Sequence, residues 1–320
     1  MKIGIPKALS FYHNPILYDT FFNNLGIEVV YSEDTNKITI EDGKKYSIDE
    51  DCFASKIYMG HVANLVSRAK KENIDYIFIP RVSYFSKRET VCVKFYAMFD
   101  ICKNIFDVDF LDFNIDYSQG ITEFKAFVNL GKKLNIKYSK IISSYMYAKK
   151  KQKEHVCFEY NKQNTLINSN NGMNILIVAH PYISYDKYIG GSIIKYLKNN
   201  KINICFADVN KYTLDNDVRK NKNNEYTYTC VSSALYWKYN QNLINGLLEY
   251  ITKVDGVIYI STFPCGPDAL VNELVMRKIK DKPSINIIVD EQEMGAGLYT
   301  RLESFIDILE QNKLKIKEVV

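Results

Sequence analysis

The sequence predicts an α/β protein of two Rossmann-like (flavodoxin-like) parallel-sheet domains facing a central cleft, the second an internal duplicate of the first. Two observations predict this. Short β-rich runs alternate with stretches of helical periodicity, and such alternation builds βαβ units whose parallel sheets are covered on both faces. The same order of runs then occurs a second time.

In the first half "KIGIP" (Lys2 to Pro6) is a short strand, helical spacing follows through "YDTFFNNLG", and "IEVVYS" is the next strand. In the second half "NILIVAHP" (Asn174 to Pro181), "GGSIIKYLKNN" and "INICFADV" repeat strand, helix and strand. "NIDYIFIPRV" then answers "KVDGVIYIST", each an Asp-led β-rich run that closes near a cysteine. A third pair matches "FLDFNIDYSQGITEFKAFVNLGKKL" with "INIIVDEQEMGAGLYTRLESFIDIL", in which a strand ending in Asp leads through a glycine turn to an amphipathic helix. The polar, breaker-rich "YNKQNTLINSNNG" marks a linker at 159–172 between an N-terminal domain (1–158) and a C-terminal domain (173–320). A helix at about 122–150 is expected to bridge the halves.

Composition narrows the class. With 320 residues, 47% hydrophobic and 25% charged, the chain can bury a full core. The net charge of +5 is spread rather than blocked, and "AKKKQK" is its densest run, so no nucleic-acid surface is expected. Pro6 interrupts the N-terminus too early for a signal-peptide core, and no uncharged run is long enough to span a bilayer. These features predict a cytoplasmic protein. Seven cysteines without a CxxC pair do not resemble a secreted disulfide framework and leave core fillers, metal ligands or catalytic thiols.

Three cysteines stand apart by position. Cys265 follows "GVIYIS" and precedes a helix opened by "GPD"; Cys92 holds the equivalent place after "YIFIP". Cys52 sits just inside a helix announced by Ser47 and Glu50 at capping-box spacing. First-turn N–H groups and the helix dipole favour a thiolate at such places. These three thiols either converge on one metal centre, with iron–sulfur chemistry open to them, or are unrelated. Zinc suits them poorly, because the usual paired spacing is missing. Cys102, Cys157, Cys205 and Cys230 read as ordinary, Cys205 as a buried small hydrophobe and Cys157 and Cys230 in less regular segments.

The ordered set "IGIPKALSFY", "DEDCFASKIYMGHV", "DYIFIPRV" followed by "CVKF", "FPCGPDALVNELV" and "INIIVDEQEMGAGLYTRLESFID" resembles the DUF2229 family of CoA-substrate-specific enzyme activase-related proteins. That family is related to the subunits of 2-hydroxyacyl-CoA dehydratases. The resemblance implies a [4Fe–4S] cluster held by three cysteines in the interdomain cleft, which by matching motif are Cys52, Cys92 and Cys265. It also implies low-potential electron transfer or reductive, radical-type chemistry. The partners it implies are an ATP-dependent activase or a ferredoxin-like electron donor, and dehydratase-like subunits. A small molecule or CoA thioester is the implied ligand, though the sequence shows no obvious CoA pocket. Neither GxxxxGK[ST] nor the actin-like phosphate-binding pattern occurs, so no ATPase activity of its own is expected.

Further candidates surround these thiols. His61 lies on an apolar helical stripe, as a core histidine or as a proton donor at the cleft. Arg81 closes a strand, where it could hold a carboxylate or phosphate or neutralise a nearby acid. Lys56 and Lys94 follow Cys52 and Cys92 closely and could offset thiolate charge. Asp290 and Glu291 end a third strand, and "GAG" (295–297) is too short for a dinucleotide fingerprint. Competing classes are a non-catalytic cluster carrier or accessory subunit, and a metal-free two-lobed protein binding a small metabolite. A homodimer is the default oligomeric expectation.

Overall fold

The computed structural model describes residues 1–86, 89–169, 172–214, 235–280, 282–291 and 296–319. The first lobe runs β1 (Lys2–Ile5), α1 (Ser10–His13), α2 (Leu17–Leu25), β2 (Glu28–Tyr31), α3 (Lys37–Lys45), α4 (Phe53–Glu72), β3 (Tyr76–Ser86), β4 (Glu89–Thr90), α5 (Val93–Ile105), β5 (Phe110–Asp116) and α6 (Glu123–Lys133). After α7 (Tyr138–Asn168) the second lobe continues with β6 (Asn174–Val178), α8 (Pro181–Ser184), α9 (Gly191–Asn199), β7 (Asn203–Phe206) and α10 (Lys211–Leu214). It closes with α11 (Lys238–Tyr250), β8 (Gly256–Thr262), α12 (Gly266–Lys278), β9 (Ser284–Val289) and α13 (Ala296–Val319). No helix among the described residues is long and apolar enough to cross a membrane.

Both sheets have the expected parallel plan. The first is ordered β2-β1-β3-β5, with β4 added antiparallel at the far end of β3, and the second is ordered β7-β6-β8-β9. Strand for strand the two orders are the same, as a duplication would leave them. In each, the second strand is added on one side of the first and the third on the other, which places a switch point at β1/β3 and another at β6/β8.

The strand period of two divides the apolar residues between cores. Ile77 and Ile79 of β3 face one core while Phe78 faces another. Ile175 and Ile177 of β6 and Ile258 and Ile260 of β8 join the same core as Ile77, whereas Leu176 and Val257 pack on the outer side of the second sheet. One continuous core therefore crosses between the lobes.

Helix α4 sits within that shared core, and every residue from Phe53 to Ala63 is buried. It approaches α3 at two glycines. A Cβ on Gly60 would fall 1.8 Å from the Thr39 carbonyl oxygen, and one on Gly43 would fall 2.1 Å from that of Lys56. The absence of side chains there lets the two helices touch backbone to backbone.

The segment at 159–172, expected as a linker, is helical through Asn168. The bridging helix is α7 itself, separate from α6, and it carries the half-buried Cys157 that was expected in less regular structure. Gln152 Oε1 accepts from the Ile16 and Leu17 N–H groups at 3.1 Å, anchoring α7 to the first lobe. Gln163 Nε2 donates to the Phe206 and Val209 carbonyls at 3.0 Å, and its Oε1 accepts from the Phe206 N–H at 2.7 Å, anchoring it to the second. Ile141, Tyr145 and Ala148 pack into the first lobe's core and Ile167 into the second's, while the stretch from Tyr160 is mostly polar, which is why composition read it as a linker.

Gly60→Ala is expected to force α3 and α4 apart and to cost about 1–3 kcal/mol, the range for overpacking a filled core. Urea unfolding at neutral pH measures this as a lower midpoint.

Candidate functional site

Each of the three singled-out cysteines occupies the cap position before a helix: Cys52 before α4, Cys92 before α5 and Cys265 before α12. None makes a side-chain capping hydrogen bond. Ser47 and Glu50 do not form the expected capping box. Cys52 is extended (φ −66°, ψ 151°) and the helix starts only after it, while Ser47 Oγ is buried without a partner among the described residues. The capping box of this region is formed instead by Asn36 and Thr39 at the start of α3.

The lobes bring these caps together. The Phe53 N–H, next to Cys52, donates to the Phe263 carbonyl, two residues before Cys265, at 2.7 Å. Cys52 lies near enough to Cys92 and Cys265 that its charge raises both thiols, and buried Tyr182 feels all three. Burial is the main reason the Cys92 thiol is pushed up, and it outweighs the opposing N–H groups of Lys94 and Phe95. Cys265 is pushed far up, first by burial and then by the Asp268 carboxylate. Thiolates favoured by helix ends were expected; at Cys92 and Cys265 desolvation wins, and these two thiols stay protonated unless a cation replaces the proton.

Lys56 and Lys94 hold the chain that leads into Cys52. Lys56 Nζ donates to the Asp49 carbonyl at 3.0 Å; Lys94 Nζ donates to the Glu50 carbonyl at 2.8 Å and to Asp51 Oδ1 at 2.7 Å. Lys56 also pairs with Glu291 across the lobes, and Lys44 lies 3.5 Å from the same carboxylate. Glu291 is therefore an ion-pair partner at the seam. Arg81 is held by Asp100 at 2.9 Å and Asp112 at 3.3 Å, with its guanidinium 4.7 Å from the centre of the Phe99 ring.

His61 is buried with both ring nitrogens engaged, Nδ1 by Ser32 Oγ at 2.8 Å and Nε2 by Thr35 Oγ1 at 2.9 Å. Thr35 donates to Asp186 Oδ2, which can only accept, so the hydroxyl must take the proton of His61 Nε2–H and Nδ1 accepts from Ser32. Tyr12 Oη donates to the same Asp186 oxygen at 3.2 Å, and Lys187 reaches Asp34 at 2.7 Å. His61 thus lies at the root of a hydrogen-bonded seam between the lobes.

Other cysteines take plainer places. Cys102 and Cys205 are fully buried, burial pushes both thiols up to about 12, and Cys102 donates to Met59 Sδ at 3.6 Å. Cys230 and Gly295 of "GAG" lie outside the described residues.

Sequence reasoning missed a cluster beside Cys265. His180 Nε2 donates to Asp268 Oδ1 at 2.9 Å, and Asn240 Nδ2 donates to that oxygen at 2.7 Å, all three residues being buried. His180 stacks on Tyr182 at 5.1 Å, and His13 stacks on Tyr239 at 3.7 Å. His13, Tyr182 and Tyr239 line a narrow pocket completed by Tyr58, Phe95 and Met98. The place of His180 at the mouth of the strand equivalent to β1 was the available signal.

Among the described residues no three His, Cys, Asp or Glu side chains converge closely enough to hold a single metal ion. Three thiols at three helix starts, Cys52 buried and Cys92 and Cys265 half-buried, form a soft, sulfur-only donor set, which fits iron–sulfur ligation better than a hard cation.

This architecture defines a two-lobed α/β protein with thiols from both lobes at their junction. The chain belongs to the DUF2229 family: the model of the CoA enzyme activase uncharacterised domain matches residues 2–209. No curated protein matches the chain. Among solved structures, a Salmonella typhimurium LT2 protein assigned provisionally as sugar binding is 7% identical, covering 97% of this chain and 86% of that one with a TM-score of 0.27. ZnuA is 9% identical, covering 97% and 98%, also with a TM-score of 0.27. At such scores neither likeness bears on function.

Burial of neutral His61, helped by the charge of Lys7 and opposed by that of Asp34, holds its pKa down at about 3. In the unfolded chain the ring titrates near about 6.5. Its stabilising contribution is therefore complete above that value and is lost as pH falls toward 3. Urea midpoints at pH 7 and pH 4.5 should differ strongly in the wild type. They should differ less in His61→Gln, the remainder reflecting His13, which burial also pushes well down.

Proposed function

We propose that this chain is an iron–sulfur protein that holds a [4Fe–4S] cluster on Cys52, Cys92 and Cys265 between its lobes. Its role is low-potential electron transfer or reductive chemistry of the 2-hydroxyacyl-CoA dehydratase type. The observation that supports this is the meeting of three uncapped helix starts, each bearing a thiol, at the carboxyl ends of both sheets. Thiols that are neighbours without converging on one ion suit a centre that spreads its ligands over several irons. When bound, such a cluster supplies one-electron chemistry.

The chain's own residues have definable tasks in this reading. First-turn N–H groups of α4, α5 and α12 face the negative charge of thiolates and sulfides. Lys56 and Lys94 fix the loop that presents Cys52, and the Lys56–Glu291 pair keeps that loop against the second lobe. Three protein thiols leave one iron free for an outside ligand. Val93 beside Cys92 and Phe263 near Cys265 are 72% and 58% exposed, and apolar contacts of this kind suit the approach of an electron donor. The donor is an ATP-dependent activase or a ferredoxin-like protein.

Anaerobic reconstitution with iron and sulfide is expected to give a brown protein with about four iron and four sulfide per chain, and a low-temperature EPR signal on reduction. Cys52→Ser, Cys92→Ser and Cys265→Ser should each lose most of the iron, whereas Cys102→Ser should retain it. A colourless wild type, or iron content unaffected by these three substitutions, overturns the reading.

A further inference from the structure

Three tyrosines line the narrow pocket beside the thiols: Tyr58 of α4, Tyr182 of α8 and Tyr239 of α11. Tyr58 and Tyr182 are each only 2% exposed, yet no hydroxyl of the three has a hydrogen-bond partner among the described residues. None of these oxygens is sealed inside the protein either. The space that all three residues border is the pocket. Buried tyrosines ordinarily find a partner for the O–H, so three left open around one space call for an explanation.

The pocket lies where open parallel sheets collect their ligands. β1 ends at Ile5, and its register with β3 pairs Gly4 with Ile77, so Pro80 and Val82 project past the end of β1 at the β1/β3 switch point. Both residues line the pocket, as do Val91 and Phe95, which bracket Cys92. Stacking fixes the walls: Tyr239 lies on His13 at 3.7 Å, and Tyr182 on His180 at 5.1 Å, with His180 itself held by Asp268.

The lining defines what fits. None of its residues carries a charge, because burial holds His13 neutral, so an ionic ligand would be buried without a counter-ion. Burial also raises all three phenols, which therefore keep their protons. These O–H groups need acceptors, and a carbonyl oxygen offers two lone pairs while bringing no proton of its own. The cavity measures about 30 Å³. A single water needs at least about 10–15 Å³, so the room suits a molecule of about three or four non-hydrogen atoms.

We propose that this pocket binds a small uncharged carbonyl compound, a ketone or aldehyde, whose oxygen accepts from the tyrosine hydroxyls while its alkyl groups lie against Phe95 and Met98. An alcohol of the same size adds a proton where acceptors are short, and a carboxylate adds a charge where no cation waits. The assignment goes beyond the cluster reading: no thiol lines the pocket, so binding requires no metal.

Saturation-transfer NMR on the metal-free full chain tests this with three probes of similar size: acetone, 2-propanol and acetate. Acetone is expected to bind more tightly than either of the others. Its affinity should fall about threefold in at least two of Tyr58→Phe, Tyr182→Phe and Tyr239→Phe, and stay unchanged in Tyr138→Phe, whose ring is exposed on α7. Should one of the three fail to fold by circular dichroism, both others must show the loss. Absence of acetone binding, acetate or 2-propanol bound as tightly, or a loss in fewer than two of the tyrosine variants overturns the proposal. Because the chain carries no metal in this experiment, such a result is separate from a failure of iron reconstitution.

Discussion

Burial of the first three turns of α4 on every side is the constraint from which the rest of the molecule follows. A helix surrounded by protein cannot carry polar side chains unless each finds a partner, because an unpaired buried charge is far costlier than the interaction it forgoes. Lys56 meets this with Glu291 and the Asp49 carbonyl, and His61 with Ser32 and Thr35. Glu291 belongs to the second lobe, and Thr35 passes the hydrogen bond on to Asp186 there. The polar residues of α4 therefore dictate how the second lobe sits, and the glycine contacts with α3 dictate how deep the helix lies.

The placement of α4 also sets the chemistry of its cap. Cys52 is carried into the interior, and the Phe53–Phe263 hydrogen bond brings the loop of Cys265 to it. Two effects then compete at the thiols. Helix starts offer N–H groups that favour the anion, while burial disfavours any charge, and for Cys92 and Cys265 burial prevails. Such thiols are poor free nucleophiles. In the proposed reading they would give up their protons to a metal, and binding would then be coupled to proton release.

The second sheet carries an asymmetry that the repeat conceals. After β1 the chain enters Pro6 and Lys7, whereas after β6 it enters His180 and Pro181, and only the second of these contributes a buried imidazole. His180 is locked by Asp268 from α12 and lies against Tyr182, so at this equivalent position the two edges carry different chemistry. Equal strand orders thus support unequal edges, as expected when loops vary on a common scaffold.

By itself the sequence determined the strands, the duplicated βαβ order, the glycine turn before α6, and the positions of Cys92 and Cys265 at equivalent strand–helix junctions. These rest on local periodicity and on turn preferences of individual residues, which act over a few positions. Only the tertiary structure decided that Cys52 stands at the cap position of α4 with no capping bond from Ser47, that α7 continues through a polar segment, and that Arg81 is held by two aspartates. It alone joined His61 to Asp186 and His180 to Asp268. Those outcomes depend on which faces of two lobes meet, and a side chain's long-range partner leaves no trace in the period of its own strand or helix.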